Sequence, residues 1–205
     1  MFVVLGAALS ALAGCEPAPA PAPAPRVTYV VGDSNTVGAS WATQLAADCT
    51  PDRWAWGGTG ILRAGYTGGA GPITLDANLE AMMDGRTADH VVIMLGTNDA
   101  LGRDALPTVA QLDALAARFR ATGASSVRWV TIPPFGSTES ATTRSRRDTL
   151  NSRIAQTPNH LDSSGAFGGA STLPPNLAAD SIHLNALGHA TLGYHMAVNT
   201  TMCGN

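Results

Sequence analysis

The chain has 205 residues, of which 45% are hydrophobic and only 13% are charged, and its formal net charge is −3 at pH 7. This length suits one domain that buries a sizeable core. The negative charge argues against nucleic acid as a partner, because phosphate binding needs a basic face. All 12 basic residues are arginine, and the missing lysine excludes a Walker A phosphate loop and a lysine Schiff base.

The first 25 residues predict an export signal and a spacer. Residues 1–14 form an apolar segment that is too short to span a bilayer and typical of a signal peptide. The segment runs into Leu-Ala-Gly-Cys at 12–15, which resembles the bacterial lipobox, in which the cysteine is lipidated. An ordinary secretory signal and a free N-terminal helix are the alternatives. Residues 15–25 form an Ala/Pro-rich linker that is expected to run extended. We therefore expect an exported domain at 26–205, anchored to the cell-envelope membrane through Cys15 or secreted.

The other two cysteines, Cys49 and Cys203, lie far apart in the sequence. In an exported protein, two leftover cysteines favour a disulfide, and two inert thiols are the alternative. On chain-entropy grounds, closing a loop of this length would stabilise the fold by about 4 kcal/mol.

Apolar runs alternate with helical periodicity along the rest of the chain. Strands are predicted at 27–31, 53–56, 90–95 and 127–132, with a short fifth strand at 161–162. Helices are predicted at 36–47, 75–83, 106–122, 142–154 and 186–199. Strands that alternate with helices indicate an α/β domain with a parallel sheet between two helical layers.

The helix at 142–154 carries four arginines, Arg144, Arg146, Arg147 and Arg153. Such a charge run usually forms a solvated face, and binding of an anionic ligand is the less common alternative.

The first predicted strand ends at Gly32-Asp33-Ser34. In an open α/β sheet, a strand–turn–helix junction lies at the carboxyl edge of the strands, where such sheets bind ligands. Ser34 is therefore a candidate nucleophile, although Gly-Asp-Ser alone is also an ordinary turn composition.

Three further turns are candidates for the same edge of the sheet. The loop at 57–72 is rich in glycine, which lets a backbone N–H approach a ligand closely, or which simply makes a flexible connection. The third strand ends at Gly96-Thr97-Asn98-Asp99, where Asn98 or Asp99 would ordinarily cap the next helix. A long loop at 163–179, of a kind that is often functional, leads to Asp180 and His183.

Together these residues suggest nucleophilic catalysis. A serine hydroxyl is a poor nucleophile until a base removes its proton, and His183 is a base with a suitable pKa. Asp180 can hold the imidazole in the right tautomer. The Asn98 side chain, a glycine N–H and the Ser34 N–H are candidate donors to an oxyanion, and loss of one such donor typically costs about 2.7–4 kcal/mol of transition-state stabilisation.

In this order and spacing the four motifs resemble the SGNH hydrolases, also called GDSL esterases and lipases, from about residue 27 to the closing helix. The resemblance implies a flavodoxin-like three-layer α/β/α sandwich with a parallel sheet of about five strands. It implies Ser34 as nucleophile in a triad with Asp180 and His183. It also implies an oxyanion hole formed by Ser34, Gly60 and Asn98, with Gly58 as the alternative glycine.

The chain departs from the family pattern at two positions. Asn35 stands where many members have an apolar residue after the serine, and Ala55 stands where many have an asparagine. Neither belongs to the triad, but both bear on the substrate pocket.

The other histidines carry no predicted chemistry. His189 matches a residue often found there in the family and is expected to pack or to cap a helix. His90, His160 and His195 show no metal-ligand spacing. No metal and no other cofactor is expected.

The expected activity is hydrolysis of a small-molecule or glycan ester through an acyl-enzyme, for example removal of an acetyl group from a carbohydrate. The alternatives are an O-acyltransferase using the same triad, a lipase or lysophospholipase, and a non-catalytic glycan-binding lipoprotein. An intact set of Ser34, Asn98, Asp180 and His183 argues against the last, because a binding module needs no triad.

Overall fold

The computed structural model describes residues 26–37, 41–44, 49–63 and 74–199. The strands in this part of the chain are β1 (Arg26–Gly32), β2 (Cys49–Ala55), β3 (His90–Met94) and β4 (Ser126–Trp129). The helices are α1 (Ser34–Val37), α2 (Trp41–Gln44), α3 (Leu75–Met83), α4 (Thr97–Leu101), α5 (Val109–Ala121), α6 (Ala141–Ile154) and α7 (Ala186–Asn199). Two short 3-10 helices lie at Ser164–Phe167 and Pro175–Leu177.

The four strands form a parallel sheet in the order β2-β1-β3-β4. Beyond β4, Leu161 pairs with Val130 in an isolated parallel bridge, at the place of the predicted fifth strand. The chain runs outward from β1 to β2 and then returns past β1 to β3, so the strand order reverses between β1 and β3. In open α/β sheets the crevice at the carboxyl ends of two such strands is the usual ligand site.

The sheet has a hydrophobic core on each face. Successive residues of a strand point to opposite faces, so Val31 packs into one core and Val30 into the other. The first core includes residues of α3, α5 and α6, such as Leu79, Leu112 and Leu150. The second includes residues of α2 and α7, such as Trp41 and Leu192. This arrangement confirms the predicted three-layer α/β/α fold.

Several predicted boundaries differ from the structure. Strand β2 begins at Cys49 rather than at 53, and it includes Pro51. Proline is tolerated there because β2 is an edge strand, where one missing N–H need not break a ladder. The first helix begins at Ser34 rather than at 36. Helix α5 begins at Val109 rather than at 106, because Thr108 and Gln111 form a capping box at its N-terminus.

The prediction of a solvated arginine face on α6 is wrong. Arg153 donates to the carbonyls of Leu106 and Pro107 at 2.8 Å, and Arg144 donates to that of Ser137 at 3.0 Å. Arg147 is buried and contacts the Ser171 carbonyl and the Asp148 carboxylate. A guanidinium has five donors in a fixed fork, so it is satisfied by several carbonyls at once. The arginines of α6 therefore hold neighbouring loops.

Arg146 connects α6 to the turn after β3. Its guanidinium donates to the carbonyls of Asp99 at 2.9 Å, Ala100 at 3.1 Å and Asp104 at 2.7 Å. The backbone of α4 is thus tied to α6 immediately beyond Asn98.

The predicted signal peptide, the lipobox at Cys15 and the linker lie outside the described residues, as does Cys203. The lipid anchor and the Cys49–Cys203 disulfide stay predictions. Within the described ranges, no helix combines the length and apolar character needed to cross a bilayer.

Candidate active site

The nucleophile turn follows β1 at the carboxyl edge of the sheet. A Cβ on Gly32 would lie 1.9 Å from the Thr36 hydroxyl, so only glycine fits this close approach. The Asp33 carbonyl accepts the N–H groups of Thr36 at 2.8 Å and Val37 at 3.1 Å, which turns the chain into α1. Ser34, the first residue of α1, is half-buried and lies at the end of a central strand.

The structure brings Ser34, His183 and Asp180 together in one hydrogen-bonded row. The Nε2 atom of His183 lies 2.9 Å from the Ser34 hydroxyl oxygen. The Nδ1 atom of the same ring lies 2.7 Å from Oδ2 of Asp180. A base within hydrogen-bonding reach of a hydroxyl, itself oriented by a carboxylate, is the geometry that activates a serine.

Asp180 also shapes its own loop. Its Oδ1 accepts the backbone N–H groups of Ile182 at 2.8 Å and His183 at 2.7 Å. Its partial burial would raise the carboxyl pKa, but the hydrogen bonds from the His183 ring and from these two N–H groups outweigh it and lower the pKa. A charged Asp180 favours the tautomer in which Nδ1 carries the proton and Nε2 is free to accept from Ser34.

Asn35, the departure from the family pattern, is buried and faces the histidine segment. Its Nδ2 donates to the Ile182 carbonyl at 3.0 Å, and its Oδ1 accepts the Leu184 N–H at 3.1 Å. Both of these side-chain hydrogen bonds are therefore with the segment that carries His183. Ala55, the other departure, ends β2 opposite Gly32.

Asn98 and the glycine loop are adjacent. The Asn98 Nδ2 donates to the Thr59 carbonyl at 2.8 Å, and the Arg63 guanidinium donates to the Asn98 carbonyl at 3.0 Å. Gly60 is buried, and a Cβ there would lie 2.1 Å from the Arg63 carbonyl oxygen and 2.7 Å from Oδ2 of Asp99. Gly58 has a positive φ of 79°. The two candidate glycines thus belong to one tightly held loop beside Asn98.

Asp99 is a site residue that the sequence interpretation missed. It caps no helix, because the N-cap of α4 is Gly96. Instead, its buried carboxylate accepts the N–H groups of Ile61 at 2.7 Å, Leu62 at 3.0 Å and Arg63 at 3.1 Å. Burial raises the pKa of Asp99, and these three N–H groups oppose the rise. The signal available in the sequence was a carboxylate in the turn that follows the buried strand β3.

Asp33 is a second buried carboxylate next to the nucleophile. It is 1% exposed, and its Oδ1 accepts the Asn35 N–H at 3.0 Å. Burial raises the pKa of Asp33 to about 6, although hydrogen bonds from the Asn35 N–H and the Thr97 side chain and a positive charge on His183 lower it. The carboxylate therefore lies within electrostatic reach of the imidazole.

Two of the remaining histidines make structural contacts. The ring of His90 lies 2.7 Å from the Ser126 hydroxyl, and His195 contacts the Asp162 carbonyl at 3.0 Å. His189 lies in the first turn of α7, where burial and the nearby His183 lower its pKa. Across the described part of the chain, no three His, Cys, Asp or Glu side chains gather as metal ligands.

The sequence and the fold are both similar to those of known proteins. The model of the GDSL-like lipase/acylhydrolase family matches residues 30–191. No curated protein matches the sequence.

Among solved structures, a carbohydrate acetylesterase family member from Sinorhizobium meliloti is similar, with a TM-score of 0.63, 16% identity, and coverage of 87% of this chain and 98% of that one. An acetylxylan esterase from Geobacillus stearothermophilus has a TM-score of 0.61 and 20% identity over 83% of this chain and 92% of its own. An α/β hydrolase from the metagenome of Lake Arreo has a TM-score of 0.63 and 22% identity over 88% of this chain and 97% of its own. At these identities the likeness is one of fold. The chain belongs to the GDSL-like lipase/acylhydrolase, or SGNH hydrolase, family and is a carboxylic ester hydrolase.

Proposed function

We propose that the chain removes a small acyl group, such as acetyl, from a carbohydrate, using Ser34, His183 and Asp180 as a catalytic triad. The single observation that carries the proposal is the row of hydrogen bonds from the Ser34 hydroxyl through His183 to Asp180, at 2.9 and 2.7 Å.

In this reaction the Ser34 Oγ attacks the carbonyl carbon of the ester while its proton passes to Nε2 of His183. The tetrahedral intermediate collapses, the bond to the alcohol oxygen breaks, and His183 returns the proton to the departing sugar hydroxyl. A water molecule then gives a proton to His183 and attacks the acyl-enzyme, which releases the acid and restores Ser34. Asp180 keeps its charge throughout and stabilises the transient imidazolium.

The negative charge of the intermediate falls on the former carbonyl oxygen. Candidate donors to this oxyanion are the Ser34 N–H, the Asn98 amide and the Gly60 N–H, with Gly58 as the alternative glycine. Donors held rigidly before reaction stabilise such a charge without reorganisation. The bond from the Asn98 side-chain amide to the Thr59 carbonyl supports this assignment, because it fixes the amide against the loop. Arg63 holds the backbone carbonyl of Asn98.

A carbohydrate substrate has support from the rim of the site. Trp56 is 48% exposed. Its backbone N–H donates to the Gly32 carbonyl at 3.3 Å, two residues before Ser34, so the indole belongs to a segment fixed beside the nucleophile turn. An exposed indole offers an apolar face to the C–H side of a sugar ring while its N–H stays in water. Of the similar structures, one is named a carbohydrate acetylesterase family member and another an acetylxylan esterase.

Export and a lipid anchor at Cys15 form part of the proposal, supported by the apolar segment 1–14 and the lipobox-like sequence at 12–15. In a bacterial host, the wild-type chain should sediment with membranes and Cys15→Ala should not. Equal membrane association of the two would contradict the anchor.

The test of function uses the domain from residue 26 onward. We would measure hydrolysis of p-nitrophenyl acetate, butyrate and octanoate, and release of acetate from acetylated xylo-oligosaccharides, beside Ser34→Ala. Ser152→Ala, an exposed serine in α6, is the control for serine removal. We expect Ser34→Ala alone to abolish turnover, and the acetyl esters to be the preferred substrates.

Other outcomes would replace the proposal. Activity that rises steadily with acyl length indicates a lipase or lysophospholipase. Acetate that appears on an added glycan acceptor instead of in solution indicates a transferase. Glycan binding without turnover by the wild type indicates a binding protein.

A further inference from the structure

The side chain of Asn35 binds the two residues that flank His183. Asn35 is 2% exposed and follows Ser34 directly. Its Nδ2 donates to the carbonyl of Ile182, and its Oδ1 accepts the N–H of Leu184. The two bonds join segments that are 147 and 149 residues apart in sequence.

The amide is matched to this task. An asparagine side chain offers one acceptor and a pair of donors from the same planar group. A carboxylate of the same shape would place an oxygen where the Nδ2 now donates to Ile182, and the two oxygens would repel. An apolar residue would leave the buried Leu184 N–H and the Ile182 carbonyl without this partner.

The histidine segment needs a long-range tether, because the bonds from Asp180 to Ile182 and His183 are local to the segment itself. The segment is also held at Ser181, whose carbonyl accepts the Gly136 N–H at 2.7 Å. The Ser181 contact lies two residues before His183. Asn35, in contrast, binds the residues on both sides of His183, and it directly follows Ser34 in the chain.

Resting on the proposed function of the site, we propose that Asn35 is a positioning residue that sets the imidazole of His183 against the Ser34 hydroxyl. The turn that carries the nucleophile thus also fixes the backbone of its base. A 1 Å misplacement of a catalytic group can lower a rate about 100-fold, so a loosened His183 would act on turnover more than on substrate binding.

The test compares Asn35→Asp and Asn35→Leu with Asn78→Asp. Asn78 is a matched control, because its amide also donates to a backbone carbonyl, that of Thr74, but it lies in α3. With p-nitrophenyl acetate we expect kcat to fall about 10- to 100-fold in both Asn35 variants, with KM changed less than about twofold. We expect inactivation of Ser34 by a fluorophosphonate to slow in proportion. The Asn78→Asp variant should match the wild type in all three.

A second measurement needs no turnover. In proton NMR spectra of the wild type, the His183 Nδ1–H that bonds Asp180 should give a downfield signal. We expect this signal to broaden or shift in Asn35→Asp. This variant is nearly isosteric with the wild type, so it serves even if Asn35→Leu fails to fold. An unchanged signal, or an unchanged kcat in a folded variant of an active enzyme, overturns the positioning role. A wild type without esterase activity overturns the proposed function instead, and the NMR comparison still decides the role of Asn35.

Discussion

Asp99 and Asp180 each accept three N–H hydrogen bonds, yet they lie in opposite environments. Asp99 is 3% exposed and binds the N–H groups of Ile61, Leu62 and Arg63. The Asp180 side chain is 54% exposed and binds the His183 ring and two N–H groups of its own loop. The pKa of Asp99 is raised by burial, and that of Asp180 is lowered by its hydrogen bonds, which outweigh its slight burial.

The difference separates two tasks of a carboxylate in one site. Asp99 holds a loop still, and burial serves this task because water cannot compete for the same N–H groups. In the proposed mechanism Asp180 stays charged while a proton moves to and from the neighbouring imidazole, and contact with water keeps the cost of that charge low. The side of the site that holds the glycine loop is therefore buried and fixed, and the side that carries His183 is more open.

The largest effect on activity is expected from Asp180→Asn. The amide keeps an oxygen for the Ile182 and His183 N–H groups, but it favours the wrong imidazole tautomer. We expect kcat to fall about 10³- to 10⁴-fold with little change in thermal stability. Glu139→Gln is the control, since Glu139 bonds Ser181 of the same segment at 2.5 Å without contacting the ring. Retention of a tenth of the wild-type kcat would contradict the role of Asp180.

The matching change on the buried side is Asp99→Asn. One carboxylate oxygen becomes an NH2 group that faces a backbone N–H, so the loop loses an acceptor. We expect kcat to fall about 10- to 100-fold and the free energy of unfolding to fall by about 1–3 kcal/mol. Enzyme kinetics and urea unfolding would measure both effects. The control is Asp76→Asn, which changes an exposed aspartate in α3. Unchanged stability would show that Asp99 does not hold the loop.

The buried carboxyl of Asp33 makes the stability of the fold depend on pH. Its pKa is raised from 3.8 to about 6, so between about pH 4 and 6 the folded chain binds more protons than the unfolded chain. Its contribution to the free energy of unfolding therefore falls as the pH rises through this range. We expect Asp33→Asn to be more stable than the wild type by about 1–3 kcal/mol at pH 8, with no advantage at pH 4. Urea unfolding of both proteins at pH 4 and pH 8 measures this difference in stability. A stability gain of Asp33→Asn that grows as the pH falls would refute the prediction.

The smallest effect is expected at the rim, from Trp56→Ala. The loss of an exposed indole should raise KM for acetylated xylo-oligosaccharides about 3- to 10-fold, because a stacked aromatic contact contributes roughly 1 kcal/mol. The kcat for p-nitrophenyl acetate should not change, since that substrate has no sugar. Tyr194→Ala removes another exposed aromatic, from α7, and is the control. Equal KM values for wild type and Trp56→Ala would remove this support for a carbohydrate substrate.

Much of the fold could be predicted from the sequence, because hydrophobic periodicity is a local signal. The buried runs around Val30 and Val92 and the helical spacing of Leu112 and Phe119 each identify an element without knowledge of its neighbours. The edge strand around Pro51 was predicted too short, because tolerance of proline depends on the position of the strand in the sheet.

The site was less accessible to the same reasoning. Ser34, Asn98, Asp180 and His183 were named because their residue types suggest a chemistry. The hydrogen-bond partners of Asp99 and Asn35 could not be predicted, because an aspartate or asparagine in a turn is equally compatible with a helix cap and with a pocket residue. Their partners lie 36 to 149 residues away, and only the tertiary structure brings these together.

The arginines of α6 have a consequence for how the site forms. Their guanidinium groups bind carbonyls in segments that include Asp99, Leu106, Ser137 and Ser171. The carbonyls of Asp99, Leu106 and Ser171 lie 24 to 47 residues from their arginine partners, so they cannot bind these partners until α6 has docked. The loops are therefore ordered in the same cooperative step as one helix, and hydrogen exchange should report them and α6 as a single unit that opens together.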